Sequence, residues 1–483
     1  MAYYPLVPST DSRASKGMVP LNVRNAFVEK QPAGANKAST YLLRPTPGRR
    51  LLTTLPANVR GLFCEPGCQN GQLFAAAGST LYSISTAWTA AGIGSLAGGD
   101  PVTIRSQRAK ALVRAYGVLY LLDNSLTTVS DADAPAFAMT LASVGTRGIA
   151  AELGGDSFKW SLAGDFLSWD PSAQAADFDL PDPIVGQEEF NGDIWNGNSR
   201  STQIWRPDPS ALDEAEAFAP LTGVNIPVGW AGRGAVAKLK GGLHFVGVDS
   251  QGGRAFYAGA GLGVTPIPNR DFEEAIKSIP AQDLAGTLCW SYADGTKEFV
   301  GARTTLERAF VLDKDSGLWH ERTRYGEEQF DIGFVTAAYE TIVAASPDSA
   351  ELWALDPEAY TDAGTPIERI MSVKVPAGGG TSIDKIVIDG RWFDQPLSGQ
   401  GSAPQLMLDY STDGGQTWGS QYGDIRVVEL PGLGESFRVQ DFGFGMVDGQ
   451  NGLLLRLILT DPIGFAISGI FVNPSEEELS GRG

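Results

Sequence analysis

Short apolar runs alternate with clusters of Gly, Asp and Asn along most of the chain. From about residue 60 to about residue 360 one unit recurs: an apolar strand, a polar turn, and a second strand that contains an aromatic residue. Gln72-Leu73-Phe74-Ala75, then Gly78, then Thr80-Leu81-Tyr82-Ser83-Ile84 is the first clear copy. Val118 to Leu122 with the turn Asp123-Asn124 is another, followed by Phe158 to Ser161 with Phe166 to Trp169, and by Asp193 to Asn196 with Ser201 to Trp205. Leu243 to Val246 precedes Arg254 to Tyr257, Phe299-Val300 precedes Arg308 to Leu312, and Ile342 to Ala345 precedes Glu351 to Leu355. Period-two alternation between turn residues predicts β-hairpins. Their starts lie roughly 35 to 50 residues apart, the repeat of a β-propeller blade. The copies are too degenerate to set the number of blades, and a large sandwich of unrelated hairpins is the alternative.

Past about residue 366 the strands crowd together. Met371 to Val375, Lys385 to Ile388, Gln405 to Tyr410, Ile425 to Val428, Phe437 to Val439, Leu453 to Leu459 and Ile467 to Val472 follow in close order, the density of a β-sandwich. Residues 1–55 read as an extended arm, because Pro5, Pro8, Pro20, Pro32, Pro45 and Pro47 forbid long helices. Arg44, Arg49 and Arg50 gather at its end as a candidate interface with a neighbouring subunit or domain. One helix is expected between blades: Phe272, Ile276 and Ile279 share a face, Asn269 or Asp271 can cap it, and Pro280 stops it. The expected fold is all-β, a degenerate β-propeller with an extended N-terminal arm and a C-terminal β-sandwich. Its expected divisions are 1–55, 56–365 and 366–475, with a flexible tail at 476–483.

Composition narrows the chemistry. The 483 residues include 59 Gly and 29 Pro, which suits many turns and short strands, and 43% are hydrophobic, enough for a core. Lys and Arg number 37 against 56 Asp and Glu, a formal charge of −19. A protein that clamps DNA needs a basic face, so a DNA clamp is excluded, and binding to anionic membranes is disfavoured. Three Cys, at 64, 68 and 289, make no disulfide framework, and no second pair completes a zinc site around Cys64 and Cys68. Met1 to Pro5 has neither the basic start nor the apolar run of a signal peptide, and the apolar run Leu453 to Leu459 is broken by Arg456 and too short to span a bilayer. A soluble protein is expected, with no cofactor.

Ser411-Thr412-Asp413-Gly414-Gly415-Gln416-Thr417-Trp418 is the sharpest local motif. It resembles the Asp-box of sialidases, in which the acid accepts turn N–H bonds, glycines permit positive φ, and the Trp packs beneath. A single copy predicts a structural turn at Asp413, Gly414, Gly415 and Trp418 rather than a glycosidase site. The acids Asp131/Asp133 and Asp177/Asp179/Asp182 lack the spacing of a calcium loop and read as solvated loop acids. Gly259 to Gly263 mimics a phosphate-binding glycine loop, but Pro266 and Pro268 prevent the long helix such a loop needs. Trp319-His320-Glu321-Arg322 holds one of only two His, the other being His244, and reads as a strand edge.

As an ordered series, several segments resemble the packaged-DNA stabilisation proteins of short-tailed bacteriophages, the tail hub or nozzle family. They are Tyr41 to Gly48, Phe158 to Trp169, Pro181 to Gly186 with Ser201 to Trp205, Gly234 to Ala237, Phe310 to Asp313 with Gly317 to Arg322, and Tyr360 to Ile367, followed by the Asp413 to Trp418 turn. The resemblance implies a non-enzymatic virion protein, assembled in the host cytoplasm. It implies a homo-oligomeric ring, six-fold in the best-known relatives, below the portal and head-to-tail adaptor. Tail spike, fibre or needle proteins are the further implied partners, and viral DNA passes through the lumen without tight binding. No catalytic, cofactor or metal residue is carried over. The rival readings are a sialidase-like glycan-processing enzyme and a monomeric glycan-binding propeller.

Overall fold

The computed structural model describes residues 2–5, 23–30, 41–177, 182–304, 309–327, 329–375, 382–413, 415–430, 436–446 and 452–473. Among the described residues seven antiparallel blades follow one another, each of four strands except blade 5, whose inner strand is split into Val228–Trp230 and Val236–Leu239. The first six run 59–95, 103–128, 142–176, 184–220, 228–267 and 288–322. Blade 7 is built from Phe334–Ala338, Thr341–Ala345 and Glu351–Asp356, and its outermost strand comes from the other end of the segment, Gly48–Thr54. A strand from before blade 1 therefore closes the ring on the last blade. This is an all-β propeller, and each of the seven recurrent sequence units falls in a different blade.

The central strands are buried at successive positions, as in Leu73–Ala77 and Ala309–Asp313, because each blade packs both faces against its neighbours. One apolar cluster fills each junction. Phe74 and Leu81 meet Ile104 and Val113 between blades 1 and 2, while Phe158 and Trp160 meet Ile194 and Trp205 between blades 3 and 4. Leu73 and Ala75 meet Val343 and Leu352 between blades 1 and 7, which completes the circle. Glycines permit the closest approaches: a Cβ at Gly197 would collide with the Trp230 ring of blade 5. The helix Arg270–Lys277 lies after blade 5, capped by Asn269, whose side chain accepts from Phe272 N at 3.0 Å. Its Phe272 and Ile276 are buried between blades 5 and 6.

The C-terminal strands form the expected sandwich, but not alone. Arg369–Val375, Leu453–Leu459, Gln405–Ser411 and Arg426–Glu429 make one face; Gly464–Val472, Ser382–Phe393 and Ser436–Met446 make the other. The N-terminal segment is threaded through both. Ala26–Lys30 and Tyr41–Pro45 join the second face. Val23–Arg24 lies between Arg369–Val375 and the outer strand of blade 6, Leu318–Arg322, so one nine-stranded sheet runs from propeller into sandwich. Val23, Val28 and Leu43 are buried in the sandwich core with Ile386, Leu406 and Leu455. Among the described residues no helix is long and apolar enough to cross a membrane.

Candidate functional site

The inner strands of all seven blades surround an axial cavity of about 490 Å³. Each blade contributes, with Phe63, Thr103, Ser143, Glu188, Val236, Ser291 and Val335 among the lining residues. That volume is of small-molecule size. Charged side chains cross it. Arg105 of blade 2 donates to Glu188 of blade 4 at 2.5 Å, and Arg233, between Val228–Trp230 and Val236–Leu239 of blade 5, donates to Asp100, between blades 1 and 2, at 3.0 Å. Asp100 also accepts from the buried Arg114 at 2.7 Å and from Arg60 at 3.4 Å. Burial alone would raise the Asp100 carboxyl, but Arg114 and Arg233 beside it hold it below the ordinary carboxylate range. Burial, with Arg114 close by, pushes Arg233 down to about 10. These pairs tie non-adjacent blades together across the cavity.

A second charged centre lies where propeller, N-terminal segment and sandwich meet. Arg49, whose side chain is 3% exposed, donates through Nε and Nη2 to the two oxygens of Asp362, and through Nη1 to Asp331 at 2.8 Å. Its guanidinium lies 4.6 Å from the centre of the Trp353 ring. Burial would depress Arg49, but its bonds to Asp362 and Asp331 lift it above its ordinary value. Arg322 donates to Pro47 O at 2.6 Å and sits over Phe330, and Arg369 donates to Tyr360 O at 3.0 Å. Asn25 completes the joint. Its Nδ2 donates to Glu368 O at 2.8 Å, while Thr323 N donates to its Oδ1 at 3.1 Å.

The three arginines expected at an outward interface therefore divide. Arg49 faces inward, because two carboxylates of its own chain neutralise it there. Arg44 is partly exposed and pairs with Glu29 at 2.9 Å, and Arg50 is exposed beside Asp356. In the Asp-box turn, Asp413 accepts from Thr417 N at 3.0 Å, Thr417 Oγ1 at 2.6 Å and Ser411 Oγ at 2.8 Å. These bonds pull its carboxyl down to about 2. Gly415 has φ +89°, and Arg456 stacks 3.8 Å from the Trp418 ring centre. Gly414 lies outside the described residues.

The loop acids differ from expectation at one position. Asp131 accepts from Asp133 N and Trp169 N at the surface, and Asp182 accepts from Arg200 N at 2.6 Å. Asp177, expected to be solvated, is only 4% exposed, because the end of blade 3 tucks it against blade 4. Trp205 Nε1 donates to its Oδ1 at 2.7 Å and Asn196 Nδ2 at 3.2 Å. Burial pushes its carboxyl up to about 6. Asp179 lies outside the described residues. Gly259 to Gly263 is a tight hairpin between the last two strands of blade 5, with Gly261 at φ +61°. His244 and His320 are buried, and burial lowers them to about 4 and about 3, so both are neutral near pH 7. Cys64 and Cys68 are free thiols that donate to the carbonyls of Gly71 and Lys110. Among the described residues no cluster of three or more His, Cys, Asp or Glu is arranged to hold a metal ion.

A family profile described as bacteriophage P22 Gp10, beta-propeller, matches residues 20–302, more than half of the chain. The chain belongs to this family. It is the packaged-DNA stabilisation family that the ordered segments resemble, and the P22 Gp10 family's β-propeller is the fold observed. No curated protein matches the chain. Solved structures resemble it only loosely. One is the extracellular domain of the one-component system BT4673 from B. thetaiotaomicron, at 10% identity and TM-score 0.41, over 76% of this chain and 44% of that one. A second is PorZ, a surface component of the type-IX secretion system of Porphyromonas gingivalis, at 16% identity and TM-score 0.39, over 80% and 48%. A third is the N-terminal domain of Nup159, at 11% and 0.39, over 64% and 94%. The chain thus spans less than half of the first two.

Proposed function

We propose that the protein is a structural component of the tail of a short-tailed bacteriophage. Copies of it form a ring, a hub or nozzle below the portal and adaptor, that surrounds the path of the DNA. The ring retains the packaged genome and lets it slide out at ejection. The observation that carries this reading is membership of the P22 Gp10 family over residues 20–302.

Two physical features support it. The axial cavity of one propeller is small and crossed by ion pairs, so a DNA path in this reading lies between copies and not through one. The charge of −19 suits such a wall, since six copies at −19 each carry about −114 and repel the phosphate backbone. DNA is then confined without being gripped. The division into arm 1–55, propeller 56–365 and sandwich platform 366–475 belongs to the same proposal, the arm lending its strands to sandwich and blade 7, with Arg44 and Arg50 reaching a neighbour. So do the portal, adaptor, spike, fibre or needle partners, assembly in the host cytoplasm, and the absence of any catalytic role.

The test is retention. Phage particles packaged without this chain should lose DNA, and purified protein added back should stop the loss. Particles that keep their DNA equally well without it would overturn the reading. Turnover of aryl glycosides by the purified protein would favour the sialidase-like alternative.

A further inference from the structure

Residues 66–99 contain no Asp, Glu, Lys, Arg or His, although 19% of the chain is charged. These 34 residues supply the second, third and outermost strands of blade 1, Leu73–Ala77, Thr80–Ile84 and Ala90–Ser95. Burial explains the inner part, because Leu73 to Ala77 are all buried. It does not explain the rim. Thr86, Ala87, Thr89, Ala90, Ala91, Gly92 and Ser95 are exposed and still uncharged. The outermost strand of blade 2, Ser125–Thr128, is also uncharged and largely exposed. It adjoins blade 1 closely: a Cβ at Gly94 would lie 3.0 Å from Leu126 Cβ. Asp123 beside it is neutralised by Lys110 at 2.9 Å.

Every other blade protects its outer edge. Blade 3 ends in a strand carrying Asp165, Asp170 and Pro171, and blades 4 and 5 end in strands containing Pro220 and Pro266. Val23–Arg24 covers blade 6, and Thr361–Asp362 pairs along blade 7. Charge, proline, cover, bulges and short strands are the means by which sheet edges avoid other chains. Among the described residues, the outer strands of blades 1 and 2 carry neither charge, proline nor cover. Blade 1 has one bulge at Ile93, where Leu81 pairs Gly94 and Tyr82 pairs Gly92, and the outer strand of blade 2 is four residues long.

We infer that this neutral rim, centred on Ala90–Ser95 and Ser125–Thr128, is where a second copy of this chain docks. The charge balance selects that occupant. A basic partner would gain from an acidic face, whereas two chains of −19 repel wherever their acids meet and need a neutral face to touch. Closure of a ring requires such a contact to be repeated head to tail. The inference rests on the ring-forming reading and adds the surface that the ring uses.

The experiment adds purified protein to tail particles lacking it and counts bound copies by native mass spectrometry. Wild type is compared with Ala91→Glu, Thr127→Glu and a control, Leu212→Glu, which adds charge at a 95% exposed position away from the rim. All sites lie in solvent, so circular dichroism and Tm should match wild type. The inference expects complete rings from wild type and control, and at least tenfold fewer complete rings from the rim variants. A photo-crosslinker at position 91 should capture a second copy of this chain. Rim variants that close rings as well as wild type would overturn the inference and leave the ring reading standing. Capture of a different tail protein at position 91, or equal loss with the control, would also overturn it. Wild type that forms no ring on the particles would overturn the ring reading, and this inference with it.

Discussion

The Arg49 guanidinium grips Asp362, 313 residues away in the chain, with Nη2 2.6 Å from Oδ2 and Nε on Oδ1. This fork ties the strand that closes the propeller to Thr361–Asp362, the short strand beside it that precedes the sandwich. Both partners are largely buried, so losing Arg49 leaves Asp362 without its fork, at a cost of about 3–5 kcal/mol, while losing Asp362 leaves Arg49 with Asp331 alone. Arg49→Ala and Asp362→Ala should each lower Tm sharply in calorimetry. The double variant should lose less than the sum of the two. Additive losses would mean that the pair is not coupled.

Gly48 opens the same closing strand, and its N–H donates to Ala359 O at 2.8 Å. A methyl there would meet the carbonyl oxygens of Ala359 and Thr361. Gly48→Ala should destabilise by about 1–3 kcal/mol, the scale of overpacking against backbone. Hydrogen exchange should quicken first in blade 7, because its outer strand is the one displaced. Protection unchanged in Glu351–Asp356 would contradict this.

Asp177 makes stability depend on pH. Its Oδ2 is a buried acceptor without a hydrogen-bond partner, and a proton on the carboxyl removes the buried charge. Its folded value of about 6 lies above the ordinary 3.8, so the folded chain binds this proton more tightly than the unfolded chain does. Stability from this group is therefore full below about pH 4, falls between about pH 4 and 6, and stays low above. The total is about 3 kcal/mol, at 1.36 kcal/mol per pH unit. Asp177→Asn, which keeps an acceptor for Trp205 and removes the buried charge, should flatten the profile and raise Tm at pH 8. A wild-type profile flat from pH 4 to 7 would contradict the assignment.

Asp413 should act locally and in the opposite direction of pH. Its carboxyl, held at about 2 by Thr417 and Ser411, supports the turn above about pH 4 and releases it as pH falls toward 2. Asp413→Ala should speed exchange at the Thr417 amide by tenfold or more while leaving the propeller unchanged. The measurement is residue-resolved hydrogen exchange.

The parts legible in the sequence are those written in local pattern. Period-two strands and glycine turns gave the hairpins, and Asn269 with Phe272 and Ile276 gave the helix. The threading of Val23–Arg24 and Gly48–Thr54 was not legible, since a strand's partner hundreds of residues away leaves no mark in its periodicity. For the same reason Arg49 read as a surface charge: Asp331 and Asp362 reach it only through the closed ring. Asp177 sits in an Ala- and Pro-rich loop that looks solvated, and its burial is decided by Trp205 and Asn196 of the next blade. The axial cavity needs all seven blades, and no single segment announces it.

The most direct measurement is an image of the virion neck at side-chain resolution. The account predicts a closed ring of this chain around the DNA axis, with duplex in the space between copies and carboxylates denser on the lumen than on the outer face. Single unconnected copies on the tail surface, or a basic lumen gripping the phosphates, would contradict it.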